Sequence, residues 1–178
     1  MFAFEHNGIV PDIITLSKGL GGLGFPISCV AYKEKLDTLP AGKHIGTFRG
    51  NVIAYTAGAA ALRFMIENNL AEHSLNLGEK MLSWLKDIEK DSSIVGEARG
   101  KGLMIGIELV KDKASKEPAP DLAQRVRAIC HQHGLLVEIG GHYSNVVRFL
   151  PPLILTEELA KKGIEIFADS IREVEKAL

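Results

Sequence analysis

Three residues stand where their type and neighbours could do chemistry. The first is Lys18, which follows the apolar run "DIITL" (12–16) and precedes glycines at 19, 21, 22 and 24. An ammonium at the end of a buried strand loses hydration and holds its proton less tightly. The neutral amine is a nucleophile and forms a Schiff base with an aldehyde. Glycines beyond it let backbone approach a flat ligand closely. Two other readings stand beside this one. Lys18 is also compatible with a surface lysine in a glycine-rich turn, and with a phosphate-contacting lysine of a nucleotide loop. The second fits poorly, because the order is Ser-Lys and then glycines rather than G-x-x-x-x-G-K-[ST]. On spacing alone the surface reading prevails.

The second residue is Thr47, in "GTFRGN" (46–51). A hydroxyl and free backbone N–H groups just before a helix suit an anion such as a phosphate. The same residues would equally shape a turn and cap a helix, and alone that reading is the stronger. The third is Arg148, set inside the apolar strand pattern "NVVRFLPP". A buried guanidinium is costly unless paired, most often with a carboxylate in a two-pronged contact. The partner is either a structural Asp or Glu or the carboxylate of a ligand.

The elements that must position these residues are legible in outline. "DIITL" and "ISCVAY" (27–32) read as buried strands, and the opening "MFAFEHNGIV" as a loop or short hairpin. "KEKLDTL" reads as a short helix stopped by Pro40. Asn51 is a good N-cap for a long Ala-rich helix. The next helix, roughly 70–90, sets Leu70, Leu77, Met81, Trp84, Leu85 and Ile88 on one stripe. From residue 94 the composition changes. Two strands flank a Gly100–Gly102 turn, "KDKASKEPAP" is a solvated loop, and "DLAQRVRAICHQHG" is an amphipathic helix closed by Gly134. "LLVEI" and "VVRFL" are strands, the second ended by Pro151-Pro152. Thr156 caps a last helix whose stripe is Leu159, Ile166, Phe167, Ile171, Val174 and Leu178. The division expected is 1–92, the end of an α/β domain, and 93–178, a small α+β domain. Two strands make an incomplete α/β sheet, so further strands are expected from another chain or from more of the same protein.

With 178 residues the chain can bury a sizeable core. The formal charge is −1, which gives no basic bias toward nucleic acid. No apolar run is long enough to cross a bilayer, and the N-terminus does not read as a signal peptide. Cys29 and Cys130 lie far apart in apolar patterns and read as reduced core residues of a cytoplasmic protein. Six scattered histidines and two thiols give no metal site.

Taken together, "PDIITLSKGLGG", "GTFRGN", "GEARGKGLMIGIEL" and "VRFLPPLILT" resemble, in order and separation, the C-terminal part of class III (ω-amino acid) aminotransferases. Within that family "FAFEHNGI", "GTFRGN" and "VVRFLPPLILTEE" look most like the 2,4-diaminobutyrate:2-oxoglutarate enzymes. The resemblance implies the fold-type-I scaffold, pyridoxal 5′-phosphate as cofactor, and a homodimer. It implies that Lys18 attaches the cofactor and moves a proton between substrate and cofactor. Thr47 corresponds to the threonine that binds the cofactor phosphate, usually in the partner's site. Arg148 corresponds to the arginine that pairs with the substrate carboxylate. The implied reaction passes an ω-amino group from a small-molecule donor to a 2-oxo acid. Ornithine, acetylornithine and 4-aminobutyrate enzymes and glutamate-semialdehyde aminomutases share these motifs, so the donor stays open.

Two departures qualify what the resemblance implies. Family members often carry three consecutive glycines soon after the lysine, whereas this chain reads Gly21-Gly22-Leu23-Gly24. The family's pyridine-nitrogen Asp, its phosphate loop and its ring-stacking aromatic precede the position of Met1. The chain therefore corresponds to part of such an enzyme, with Met1 either an internal methionine taken as a start or an imposed boundary, and by itself is expected to transaminate badly or to be a catalytically silent fragment.

Overall fold

A computed structural model describes residues 2–22 and 24–178. Leu23, the departure in the glycine stretch, and Met1 lie outside the described residues. The chain divides into two compact units, 1–69 and 70–178.

The first unit opens with a 3-10 turn at Ala3–Asn7 rather than a loop or hairpin. Strand β1 (Ile13–Leu16) then pairs antiparallel with β2 (Cys29–Tyr32), Leu16 facing Cys29. Asp12 accepts contacts from Lys33 and Lys35 at 2.9 and 3.3 Å, which clasps the open end of this hairpin. Those two ammonium groups hold the Asp12 carboxyl below the usual carboxylate range. The hairpin is not buried as its apolar run suggests: Ile13 is 59% and Val30 53% exposed. Cys29 is likewise exposed, not a core residue. Short apolar runs look the same in a covered strand and in one whose cover comes from elsewhere. A 3-10 turn, Glu34–Leu36, takes the place of the expected short helix. Helix α1 (Val52–Glu67) begins as its sequence dictates, with the Asn51 side chain accepting from the Ala54 N–H at 3.1 Å.

The second unit begins with helix α2 (Leu70–Asp91), one helix earlier than the composition change suggests. Its stripe seats Leu77, Met81 and Leu85 in the core. Four strands follow, β3 (Val95–Lys101), β4 (Met104–Leu109), β5 (Glu138–Gly140) and β6 (Val146–Phe149), with helix α3 (Pro120–Gln132) between β4 and β5. All pairings are antiparallel, in the order β3-β4-β6-β5. Strand β4 alternates cleanly, with Ile105, Ile107 and Leu109 buried and Met104, Gly106 and Glu108 on the other face. Helix α4 (Glu157–Lys176) closes the unit. Thr156 caps it by accepting from the Leu159 N–H at 3.3 Å. Phe167, Ile171 and Val174 of its expected stripe are buried, but Leu159 and Leu178 are exposed and Ile164 is buried instead. Cys130 lies in this core as expected, and burial pushes its thiol pKa up.

Within this unit the buried apolar side chains of the sheet and the three helices form one core. The opposite face of the sheet carries a cross-strand row, Glu138–Arg148–Gly106–Arg99, one residue from each strand. That row is where the sequence-selected arginine sits. No helix among the described residues is long and apolar enough to cross a membrane.

Candidate active site

Lys18 begins a 3-10 turn, Lys18–Gly21, immediately after β1. Its backbone is left-handed, φ +53°, a region that costs a lysine about 1–2 kcal/mol. Nothing in the sequence signals this, because lysine is not a residue that favours such a turn. The conformation is held by its surroundings. The Ser17 hydroxyl donates to the Ile27 carbonyl at 3.1 Å, and Leu20 N–H donates to the Ser17 carbonyl at 3.2 Å. Ser17 is therefore a fastening residue that sequence reasoning passed over.

The side chain of Lys18 is exposed, at the edge of an open cleft of about 640 Å3 lined by Ser17, Gly22, Phe25 and Ser28 among others. The burial expected of it is not supplied by the described residues of this unit, since the strand before it is itself half-exposed.

The glycines after Lys18 do two different jobs. Side chains on Gly19 or Gly24 would meet nothing within 4 Å, so these positions leave open space beside the amine. Gly22 is closed: a Cβ there would stand 2.9 Å from the Ala57 carbonyl of α1. The reciprocal position is Gly58 of α1, where a Cβ would stand 2.4 Å from the Leu20 carbonyl. The lysine turn is thus seated directly on the backbone of α1. Gly58→Ala tests this seat. Alanine favours the helix by about 1 kcal/mol, but overpacking against backbone costs about 1–3 kcal/mol. We expect the variant to lose up to about 2 kcal/mol in a urea titration; a gain in stability would mean that the turn is not seated there.

Thr47 lies in an exposed turn, Thr47–Gly50, just ahead of Asn51 and α1. Arg49 shapes this segment, its N–H donating to the Gly46 carbonyl and its Nη1 to the His44 carbonyl, at 3.1 and 2.6 Å. Beside Thr47 stand Phe48 and Ile45, 96% and 80% exposed. No hydrogen bond among the described residues links Lys18 to Thr47.

Arg148 belongs to the second unit, on β6, and is half-buried. Its guanidinium Nη2 donates to Glu138, its partner across β5, so the structural-carboxylate alternative left open by the sequence is occupied. The Nε is buried with no hydrogen-bond partner among the described residues. The sequence contained Glu138 in "LLVEI" but not the register that sets it opposite Arg148. A cavity of about 400 Å3 adjoins the pair, walled by Leu135, Val137, Phe149, Pro151 and Leu155 among others.

The chemistry of these groups suits an aldehyde-bearing phosphate and a carboxylate ligand: an exposed primary amine with open space beside it, an exposed hydroxyl at a helix start, and a guanidinium at an apolar cavity.

Residues 1–171 match the model of the family described as aminotransferase class-III. The diaminobutyrate–2-oxoglutarate aminotransferase of Haemophilus influenzae is 36% identical over 184 residues, covering 100% of this chain and 40% of that protein. The acetylornithine aminotransferase of Caldanaerobacter subterraneus is 38% identical, covering 98% of this chain and 41% of its own. Among solved structures, a Bacillus anthracis aminotransferase superposes with a TM-score of 0.88 at 31% identity, over 96% of this chain and 40% of that one. The chain spans about 40% of the length of the curated relatives it matches.

Proposed function

The chain belongs to the class III aminotransferases, and from that premise we propose that it carries the cofactor-anchoring lysine and a substrate-carboxylate site for ω-amino-group transfer to 2-oxoglutarate, with 2,4-diaminobutyrate as donor. The family depends on pyridoxal 5′-phosphate. The observation that carries the reading is Lys18, an exposed amine held in a left-handed turn beside glycines with no side chains to crowd it.

When bound, pyridoxal phosphate supplies an aldehyde that condenses with amines and a ring that draws electrons from the attached carbon. Lys18 then has two tasks. Its Nζ would hold the cofactor covalently. The same Nζ, when free, would be the base that removes the proton from the amino-bearing carbon and delivers it onward. The fixed turn of Ser17 to Gly22 would give the amine one point of attachment for both tasks. The Thr47 hydroxyl, with the backbone N–H groups of its turn, is the phosphate contact. Arg148 takes the substrate carboxylate and so sets which end of the donor is presented.

A homodimer is part of this proposal, with Thr47 reaching into the second copy's site. The exposed apolar side chains of Ile45, Phe48, Val52 and Ile53 support it, since exposed apolar clusters of this kind are usually covered by a partner.

Diaminobutyrate, 5-aminovalerate and acetylornithine aminotransferases resemble the chain comparably. The donor is tested by presenting 2,4-diaminobutyrate, ornithine, acetylornithine and 5-aminovalerate separately to the cofactor-loaded protein and following the cofactor absorbance. Diaminobutyrate is expected to convert it fastest, by at least about tenfold, the discrimination one well-placed polar contact supplies. Faster conversion by acetylornithine would reassign the substrate and leave the Lys18 role in place.

A further inference from the structure

Lys18 leaves the β1–β2 ladder where the register could continue. That register pairs Leu16 with Cys29, and two residues further it would pair Ser17 with Ser28 and Lys18 with Ile27. The residue types allow this as far as Pro26, which has no N–H to give a ladder. At the other end of the hairpin the Lys33 N–H donates to the Asp12 carbonyl at 3.0 Å. Hydrogen-bonded pairs recur every second residue, so Lys18 and Ile27 would form one, with the Lys18 N–H on the Ile27 carbonyl. The side chain of Lys18 would then share a face with Ile14 and Leu16, both half-buried. The observed backbone differs. Strand β1 ends at Leu16, and Lys18 turns to φ +53°, a region that lysine disfavours.

Ser17 stands at the branch point. Its own backbone is still extended, φ −160° and ψ −164°. Its hydroxyl donates to the Ile27 carbonyl at 3.1 Å, the acceptor that a continued ladder would offer to the Lys18 N–H. Its carbonyl accepts from the Leu20 N–H at 3.2 Å, the first bond of the turn. A carbonyl has two lone pairs, so the hydroxyl does not shut the Lys18 N–H out. It supplies the Ile27 carbonyl with a donor once the Lys18 N–H is elsewhere, and the turn leaves no acceptor orphaned.

We propose that Ser17 is a positioning residue for the Lys18 amine: its hydroxyl replaces the Lys18 N–H at the Ile27 carbonyl, which lets Lys18 leave the ladder and hold its amine at the cleft. This inference rests on the reading of Lys18 as the cofactor anchor. Ser17 acts through the backbone of its neighbour. In Ser17→Ala the left-handed turn leaves the Ile27 carbonyl to water. The continued ladder gives that carbonyl a main-chain donor and relieves the backbone strain at Lys18. Loss of the hydroxyl therefore moves Lys18 toward the ladder without loosening the fold, and the amine goes with it.

The test uses the whole 178-residue chain, with pyridoxal phosphate as the probe, fixed by borohydride and located by mass spectrometry. The quantity read is the label on Lys18 relative to that on the exposed Lys80 and Lys111. Ser17→Ala is expected to lower this ratio about fivefold, the shift that one net hydrogen bond makes in a two-state equilibrium, with the urea midpoint unchanged. In chain labelled with 13C-lysine, the Lys18 Cα resonance, assigned by its loss in Lys18→Arg, should move toward the value of an extended strand. Ser17→Thr keeps the hydroxyl and should keep the parent's ratio and resonance. If the parent concentrates label on Lys18 and Ser17→Ala does so equally, the positioning role is overturned and the Lys18 reading stands. A ratio that falls together with the urea midpoint also overturns it, since the hydroxyl then only holds the fold together. Label spread evenly in the parent removes the Lys18 reading and this inference with it.

Discussion

In a protein that carries this chain together with the rest of its relatives' length, replacing Lys18 with alanine is expected to lower amino-group transfer by about 10^3-fold or more, because the change removes both a covalent anchor and a base. Acid–base catalysis by one positioned side chain is worth about 10^2- to 10^4-fold by itself. Among the described residues that line the cleft, Lys18 is the one amine. The amine emerges from a turn fastened by Ser17 to Ile27 and seated on α1 at Gly58, and this backbone points one side chain at the cleft. Lys18→Arg should fall with Lys18→Ala, since a guanidinium keeps the charge but neither loses its proton nor forms a Schiff base. Glutamate formation from 2-oxoglutarate, coupled to a glutamate assay, measures both variants. Activity in Lys18→Arg near that of the parent would reduce Lys18 to a local positive charge.

The largest expected stability effect lies in the second unit, at Phe167. Its ring is fully buried and meets Phe149 edge-on, with centroids 5.4 Å apart and planes at 78°. Phe167→Ala removes most of a ring's burial and leaves a cavity, a change that costs about 3–5 kcal/mol. Against the usual stability of a domain, about 5–15 kcal/mol, that is a large fraction. The effect reaches function through one residue, because Phe149 follows Arg148 on β6. Loosening the Phe149 ring loosens the end of the strand that aims the guanidinium. Urea unfolding should therefore move to markedly lower denaturant, and carboxylate binding should weaken at urea concentrations that leave the parent folded. A loss below about 1 kcal/mol would mean that α4 repacks over the gap.

The second unit was largely legible in the sequence, and the reasons are local. Periodicity in α2, alternation in β4, the Gly100–Gly102 turn and the Thr156 cap are each written in neighbouring residues. The first unit was less so. "DIITL" has the composition of a covered strand, yet the structure leaves Ile13 open, because burial depends on what packs above a strand and not on the strand itself. Cys29 was misplaced for the same reason. Lys18 was identified by its resemblance to a family motif, while its left-handed backbone was not, since that is imposed by Ser17 and α1. The glycines looked like room for a ligand. Gly22, with Gly58 of α1, instead lets a turn rest on a helix, a contact between segments far apart in the chain. Glu138 escaped notice because its importance lies in register: one residue of slip would turn it to the other face of the sheet.

The central claim is that Lys18, among the lysines of this chain, is the cofactor anchor. The direct measurement is to incubate the protein with pyridoxal phosphate, reduce with borohydride, digest, and map the pyridoxyl group by mass spectrometry. Many other lysines serve as internal controls, among them the exposed Lys80, Lys90 and Lys111. The account predicts that the label concentrates on the peptide bearing Lys18 and disappears from that position in Lys18→Ala. Label spread evenly over the exposed lysines, or absent from Lys18 while present elsewhere, would contradict it.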